Sequence, residues 1–183
     1  MLASSSRLFV ALTPTPPIQS ALSELGASIP QAQAIPPEKL HLTLRYLGPQ
    51  PVDAEARCAE ALERVQVKPF FLELEACGAF PETGPPHVIW MGVGRGHPLL
   101  FQLRQQVDDV LLSTGLTFDL KPFSPHVTLA RCVDRPPDPV RHWLKKHHNE
   151  LGPLWPVSQF TLYASEPSPT GRIYRKVRDY PLQ

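Results

Sequence analysis

Two stretches of this chain carry residues suited to acid–base chemistry in matching order: Leu40-His41-Leu42-Thr43-Leu44 and Pro125-His126-Val127-Thr128-Leu129. Each reads His-x-Thr within an apolar run, and the histidines stand 85 positions apart in a chain of 183 residues. An imidazole titrates near neutrality, so two of them on opposite sides of a bound group can serve as base and acid in one turnover. Hydrolysis of a cyclic phosphodiester needs that division of labour. One imidazole takes a proton from water and the other gives one to the departing sugar oxygen, each contributing about 10²- to 10⁴-fold. Threonine hydroxyls beside them would supply the fixed donors that growing charge on phosphoryl oxygens requires. A strand sends residues i and i+2 to one face, so His41 sides with Thr43 and His126 with Thr128. Leu42, Leu44, Val127 and Leu129 then turn toward a core.

The elements that must hold these motifs follow from periodicity. Arg7 to Leu12 is a brief apolar run ended by prolines, a first strand. Ile18, Ala21, Leu22 and Leu25 fall at helical spacing, with Pro16 and Pro17 before and Gly26 after as start and stop signals. The first His-x-Thr strand runs from Leu40 to Leu47 and is closed by Gly48-Pro49. Asp53 caps a second helix striped by Ala54, Cys58, Ala61 and Val65, and Phe70 to Ala76 alternates as a third strand. The order then recurs. His87 to Val93 is a strand; Leu99, Leu100, Leu103, Val107, Val110 and Leu111 mark an amphipathic helix; Phe123 to Cys132 is the second His-x-Thr strand. Asp138 and Pro139 read as N-cap and N1 of a helix carrying Val140, Trp143, Leu144 and Leu151. Val157 to Ala164 and Arg172 to Val177 are the last strands, joined by the turn-rich Ser165 to Gly171. The resulting order, β α β α β followed by β α β α β β, is that of a duplicated unit with a His-x-Thr on the second strand of each half. Two such lobes facing each other bring both histidines to one cleft between two sheets.

Composition narrows the function classes. The formal charge of +1, from 18 Lys plus Arg against 17 Asp plus Glu, excludes a generally basic nucleic-acid coat. An anionic partner must therefore meet a local cluster, which favours a small anion or a strand terminus over long duplex. Cys58, Cys77 and Cys132 are odd in number and lack C-x-x-C spacing, as expected of reduced thiols in a cytosolic setting. Met1 to Thr13 places only Arg7 ahead of five apolar residues, too little for a signal peptide, and no 18-residue apolar stretch predicts a membrane span. Of the 23 prolines, 13 cluster between periodic segments (Pro14, Pro16, Pro17; Pro36, Pro37; Pro81, Pro85, Pro86; Pro136, Pro137, Pro139; Pro167, Pro169), which reads as stiffened loops. His147 and His148 follow Lys145 and Lys146 where cations favour a helix C-terminus; His87 and His97 have no partner in the pattern, and His142 beside Trp143 reads as surface.

The opening RLFVAL, HLTLRYLG, HVIWMGV, FSPHVTLAR ending at Arg131, and a C-terminal G-x-x-Y-x-x-V-x-x-x-P-L from Gly171 through Tyr174 and Val177 to Pro181 and Leu182 carry a wider likeness. Together they resemble the 2H phosphoesterases, specifically the LigT/ThpR-like branch of RNA 2',3'-cyclic phosphodiesterases, once called 2'-5' RNA ligases. The resemblance spans nearly the whole chain, with Tyr46 standing where the branch more often has Phe. It implies an α+β, bilobal duplicated fold: two mainly antiparallel sheets facing a central cleft, helices outside, pseudo-twofold symmetry, and a single domain over residues 1–183 with interleaved lobes. It implies opening of a 2',3'-cyclic phosphate to a 2'-phosphomonoester without metal or cofactor, and a weak reverse ligation. His41 becomes the proton donor and His126 the proton acceptor, although the symmetry of the pair makes the assignment reversible on sequence grounds. Thr43, Thr128 and Arg131 become phosphate ligands. Strict alternation places Arg131 on the face opposite His126, so its role demands strand twist or a bulge. Tyr46, Phe123 and Tyr174 are candidates to stack on a nucleobase, with core packing as the plainer reading. Arg172, in a basic cluster with Arg175, Lys176 and Arg178, either steers an RNA end or lies on a solvated strand face. The expected partner is an RNA 3' end or a nucleoside 2',3'-cyclic phosphate, met by a cytoplasmic monomer with no membrane attachment.

Three rivals stand beside this reading. Another 2H activity would act on 2'-5' oligoadenylate or a cyclic ADP-ribose phosphate. A non-catalytic RNA-binding module is disfavoured by the intact His-x-Thr in both halves. A zinc hydrolase lacks a third ligand at suitable spacing.

Overall fold

The computed structural model describes residues 6–132, 138–169 and 171–183; the Pro136-Pro137 pair and the first five residues lie outside these. Strand β1 (Ser6–Leu12) leads to helix α1 (Pro16–Ala27), the two-residue β2 (Gln33–Ala34), a 3-10 turn over Pro37–Lys39 and β3 (Leu42–Gln50). Then come α2 (Ala54–Leu62), β4 (Phe70–Phe80), β5 (Val88–Val93), α3 (Pro98–Leu112) and β6 (His126–Arg131). Helix α4 (Asp138–His147), β7 (Leu151–Val157), β8 (Gln159–Ser168) and β9 (Gly171–Pro181) complete the order. No described helix is long and apolar enough to cross a membrane.

All strand pairing is antiparallel, in the order β7-β4-β5-β6-β3-β1-β8-β9, with β2 paired to β6 off that path. The two expected sheets are thus halves of one strand order, β9-β8-β1-β3 and β6-β5-β4-β7. Among the described residues, β3 and β6 join them through a single registered pair, Leu42 opposite Val127. Reading outward from that pair, β3 matches β6, β1 matches β5, β8 matches β4 and β9 matches β7, which is the pseudo-twofold relation.

The halves of the sheet are not the halves of the chain. Strand β4, expected to close the first lobe, lies between β5 and β7 of the second, while β8 and β9 return to pair beside β1. The helices cross as well: α1 packs on β6 and β7, α4 on β4, α3 on β3, and α2 on α3 and β9. Helix α3 explains itself by spacing, since Leu100, Leu103, Val107 and Leu111 are fully buried along one stripe. Beneath the helices the sheet presents Leu8, Val10 and Leu12 of β1 and Ile89 and Met91 of β5, all at 0% exposure.

Several local expectations change: Val65 lies beyond α2, Val157 ends β7, and β8 runs through Ser165 to Ser168 where a turn was expected. Gly26 lies inside α1 and is not its stop; a Cβ there would stand 2.8 Å from the carbonyl oxygen of Leu129, so its bareness lets the helix lie directly on β6. Leu151 belongs to β7 and is exposed, not part of the α4 stripe. Pro153 and Pro156 hide that strand from its sequence pattern, and they are tolerated because β7 is an edge strand, paired among the described residues with β4 alone. Strand β3 begins one residue after His41 and runs through Gly48-Pro49. Asp138 is the first residue of α4, where it was expected to be the cap.

Candidate active site

Antiparallel register around Leu42 and Val127 places His41 opposite Thr128 and Thr43 opposite His126. Leu42 and Val127 are fully buried on the helix side, so the four polar residues share the other face. Each histidine therefore has the threonine of the other half as its cross-strand neighbour.

Both imidazoles are fixed in the same way. Nδ1 of His41 lies 2.6 Å from the carbonyl oxygen of Lys39, and Nδ1 of His126 lies 2.7 Å from that of Ser124. A carbonyl oxygen only accepts, so Nδ1 carries the hydrogen in each ring, leaving Nε2 as a lone pair when neutral and as a donor when charged. Aromatic walls brace them. His41 packs against Phe9 at 5.2 Å and meets Tyr174 edge-on at 5.4 Å. His126 packs against Phe80 at 5.1 Å and Trp90 at 6.1 Å. Gly78 and Gly92 leave the space in which the Trp90 indole lies, since a Cβ on Gly78 would fall 2.3 Å from it.

Burial holds the proton affinity of both histidines below the ordinary 6.5, and in each case the backbone carbonyl partly opposes the shift. His41 is lowered further by the nearby charges of His126 and Arg131. The Thr43 and Thr128 hydroxyls have no hydrogen-bond partner among the described residues, so both are available to a ligand.

Arg131 reaches the site through a bulge. Trp90 pairs with Thr128 but Ile89 with Ala130, so Leu129 is an extra residue in β6 and the alternation flips beyond it. Arg131 pairs with Val88, on the same face as Trp90, Thr128 and His126. The bulge is pinned from behind by the Ile35 amide, which donates to the Leu129 carbonyl at 2.8 Å. Strand β3 repeats the device. Ala11 pairs with Thr43 but Val10 with Arg45, which skips Leu44 and brings Tyr46 to the cleft face opposite Phe9. Tyr46 is thus the counterpart of Arg131, each five residues after its histidine.

The remaining candidates fall on two sides. Thr43, Tyr46, Phe80, Lys121, Phe123 and His126 line a cavity of about 590 Å³. Tyr174 lies against His41, and Arg172 follows on the same face of β9 with its guanidinium bonded to the Ser165 hydroxyl and carbonyl, each at 2.6 Å. The rest of the basic cluster is ion-paired: Arg175 with Glu55 and Glu166, Lys176 with Asp179, and Arg178 with Glu63. His97 has a partner after all, capping α3 by accepting from the Leu99 amide, and His147 bonds Glu150. Among the described residues no group of three or more His, Cys, Asp or Glu is placed to hold a metal ion.

Sequence reasoning did not single out Phe9, Phe80, Trp90, Lys121, or a buried ion pair beneath the cavity. Arg45 turns coreward at the β3 bulge and holds the Asp108 carboxylate by Nε and Nη2, both at 2.7 Å, while its Nη1 donates to the Asp119 carbonyl. Arg104 pairs with the same carboxylate and lies over the Phe123 ring at 5.3 Å. The pair therefore ties β3 and α3 to the loop bearing Phe123 and Ser124. Arginine at 45 and aspartate at 108 were visible, but nothing local linked them.

The family model for the 2'-5' RNA ligase superfamily matches residues 5–168. The chain belongs to that superfamily. An RNA 2',3'-cyclic phosphodiesterase of Archaeoglobus fulgidus is 34% identical over 176 residues, covering 94% of this chain and 98% of its own. Another of that name from Thermus thermophilus is 30% identical, covering 97% and 90%. Among solved structures, a Thermus thermophilus protein aligns with a TM-score of 0.82 at 27% identity over 96% of this chain and 97% of that one. Escherichia coli LigT complexed with 3'-AMP aligns at 0.80 and 22% identity, over 98% and 99%. This superfamily member thus has the α+β architecture of LigT throughout its described length.

Proposed function

We propose that this superfamily member is an RNA 2',3'-cyclic phosphodiesterase, acting on an RNA 3' end or a nucleoside 2',3'-cyclic phosphate and yielding a 2'-phosphomonoester. The observation that carries the reading is the crossed placement of two His-Thr pairs about Leu42 and Val127, each imidazole held by its Nδ1 with Nε2 left for substrate. The relatives named for this activity over nearly their full length support it.

In the proposed step, Nε2 of His126 takes a proton from water as the water oxygen bonds to phosphorus. The P–O3' bond breaks, and the 3' oxygen takes the Nε2 proton of His41. Proton exchange then resets the pair for the next cycle. Thr43 and Thr128 donate to the phosphoryl oxygens, and Arg131 adds a fixed positive charge. The cavity lined by Tyr46 and Phe123 gives a nucleobase aromatic surfaces to meet. Both histidines come from one chain, which supports a monomer as the working unit, and three free cysteines fit a reducing cytoplasm. With an RNA hydroxyl in place of water, the same site would open the cyclic phosphate into a 2'-linked phosphodiester: His126 takes the hydroxyl proton, the P–O3' bond breaks and the 3' oxygen takes the His41 proton, a weak ligation.

The test is incubation of an RNA ending in a 2',3'-cyclic phosphate with the protein in EDTA, followed by product identification. A 2'-phosphate is expected; a 3'-phosphate, or turnover of 2'-5' oligoadenylate alone, overturns the reading.

The pH profile follows from the site. Each imidazole binds its proton more weakly than in water, so each charges only below 6.5. The kcat/KM profile reports the free acid and base, and its bell is expected to peak on the acid side of 6.5. The same shifts leave folding stability unaffected above 6.5 and reduce it as pH falls below that value, because the unfolded chain then binds more protons. A rate series across the range checks the first, and a flat or alkaline-peaked profile contradicts the acid–base pair.

A further inference from the structure

On the His41 side of the cleft lies a cationic track that the cyclic phosphate does not need. Arg7, Ser165 and Tyr174 are cross-strand neighbours on β1, β8 and β9, and Tyr174 touches His41. Paired residues share a face, and Phe9, two positions from Arg7, packs on His41, so this row lies on the cleft face, with Ser165 itself buried. Arg172 leans over the same row, fastened by its Nε to the Ser165 hydroxyl and by Nη2 to the Ser165 carbonyl. Both acceptors are neutral, so its charge is held in place but not cancelled. Arg7 is exposed and has no ion-pair or hydrogen-bond partner for its side chain among the described residues.

The contrast with the rest of β9 is informative. Arg175, on the opposite face, pairs with Glu55 and Glu166; Lys176 and Arg178 also have carboxylates of their own. The acids near β9 are thus spent on other cations. Two arginines beside the His41 wall are left with charge to offer, Arg7 one strand spacing from Ser165 and Arg172 two residues from Tyr174 along β9.

Resting on the function proposed above, we infer that Arg7 and Arg172 hold the phosphodiester on the 5' side of the terminal nucleotide, so that the RNA strand leaves the cleft across β1, β8 and β9. A free nucleoside 2',3'-cyclic phosphate lacks that phosphate. The track makes the protein favour an RNA end over the mononucleotide, and the surplus resides in contacts remote from the reacting bond.

The experiment compares kcat/KM for a short RNA ending in a 2',3'-cyclic phosphate with that for the mononucleotide of the same terminal base. In the Arg7→Ala/Arg172→Ala double variant, the RNA-to-mononucleotide ratio is expected to fall about tenfold, mainly through KM. The slope of log kcat/KM against log salt for the RNA is expected to shrink by about 0.7 for each phosphate that no longer meets an arginine. Arg175→Ala, on the other face, is expected to change neither quantity. Equal losses on both substrates, or an unchanged ratio, overturn the inference. If the wild type turns over neither substrate, the proposed function fails instead. The track is then read by the Kd of an RNA ending in a 2'-phosphate, and an unchanged Kd in the double variant overturns it.

Discussion

Replacement of either His41 or His126 by alanine is expected to lower kcat/KM toward an RNA 2',3'-cyclic phosphate by about 10²- to 10⁴-fold. The double variant is expected to fall little further, because groups that act as one unit do not contribute additively. The folded state should tolerate both changes. Each imidazole bonds a single backbone carbonyl and otherwise rests on aromatic rings, so truncation leaves no buried charge behind. Product assays on the purified variants, with circular dichroism to confirm folding, check the pair; full activity in either single variant removes that histidine from the mechanism. If the two positions respond unequally to leaving-group acidity, the more sensitive one is the proton donor. That measurement separates the two assignments which symmetry leaves interchangeable.

The second large effect is on stability. Asp108→Ala is expected to cost about 3–5 kcal/mol, because it strips the carboxylate from two arginines that are themselves nearly buried. Arg45 and Arg104 expose 5% and 8% of their side chains. For a chain of this size the loss corresponds to a Tm lower by roughly 6–20 °C, measurable by thermal unfolding. Activity should fall with it even where the protein remains folded, since the same cluster reaches Asp119 and Phe123 and so steadies the loop whose Ser124 carbonyl orients His126. A variant with unchanged Tm would mean that the two guanidiniums find other partners.

How much of this was legible beforehand depended on the range over which each feature is made. The His-x-Thr pairs were readable because strand alternation is local, and the face they share follows from one residue's rise. Arg131 was not placed by that rule. Its position depends on the extra residue Leu129, and the bulge is held by an amide on Ile35, almost a hundred positions earlier, under a helix that only Gly26 allows so close. Strand β7 was missed since its two prolines erase the usual strand signal, which only its edge position excuses. The sorting of strands between the two halves was equally hidden: β4 and β8 each have good local patterns, but which neighbour they choose is settled by long-range pairing. The basic cluster near the C-terminus looked uniform for the same reason. Its members differ in partners drawn from α2 and the residue after it, over a hundred positions away.

The single pair at Leu42 and Val127 gives the site an unusual mechanical character. The proposed catalytic groups belong to a boundary, and neither half of the sheet contains a complete set. Each histidine stands opposite the threonine of the other half beside that pair, so a small spreading of the halves would move both proposed acid–base groups away from their cross-strand donors together. Turnover should therefore be most sensitive to whatever stiffens this junction. Helix α1, which follows β1 of one half and packs on β6 and β7 of the other, links the two across this junction.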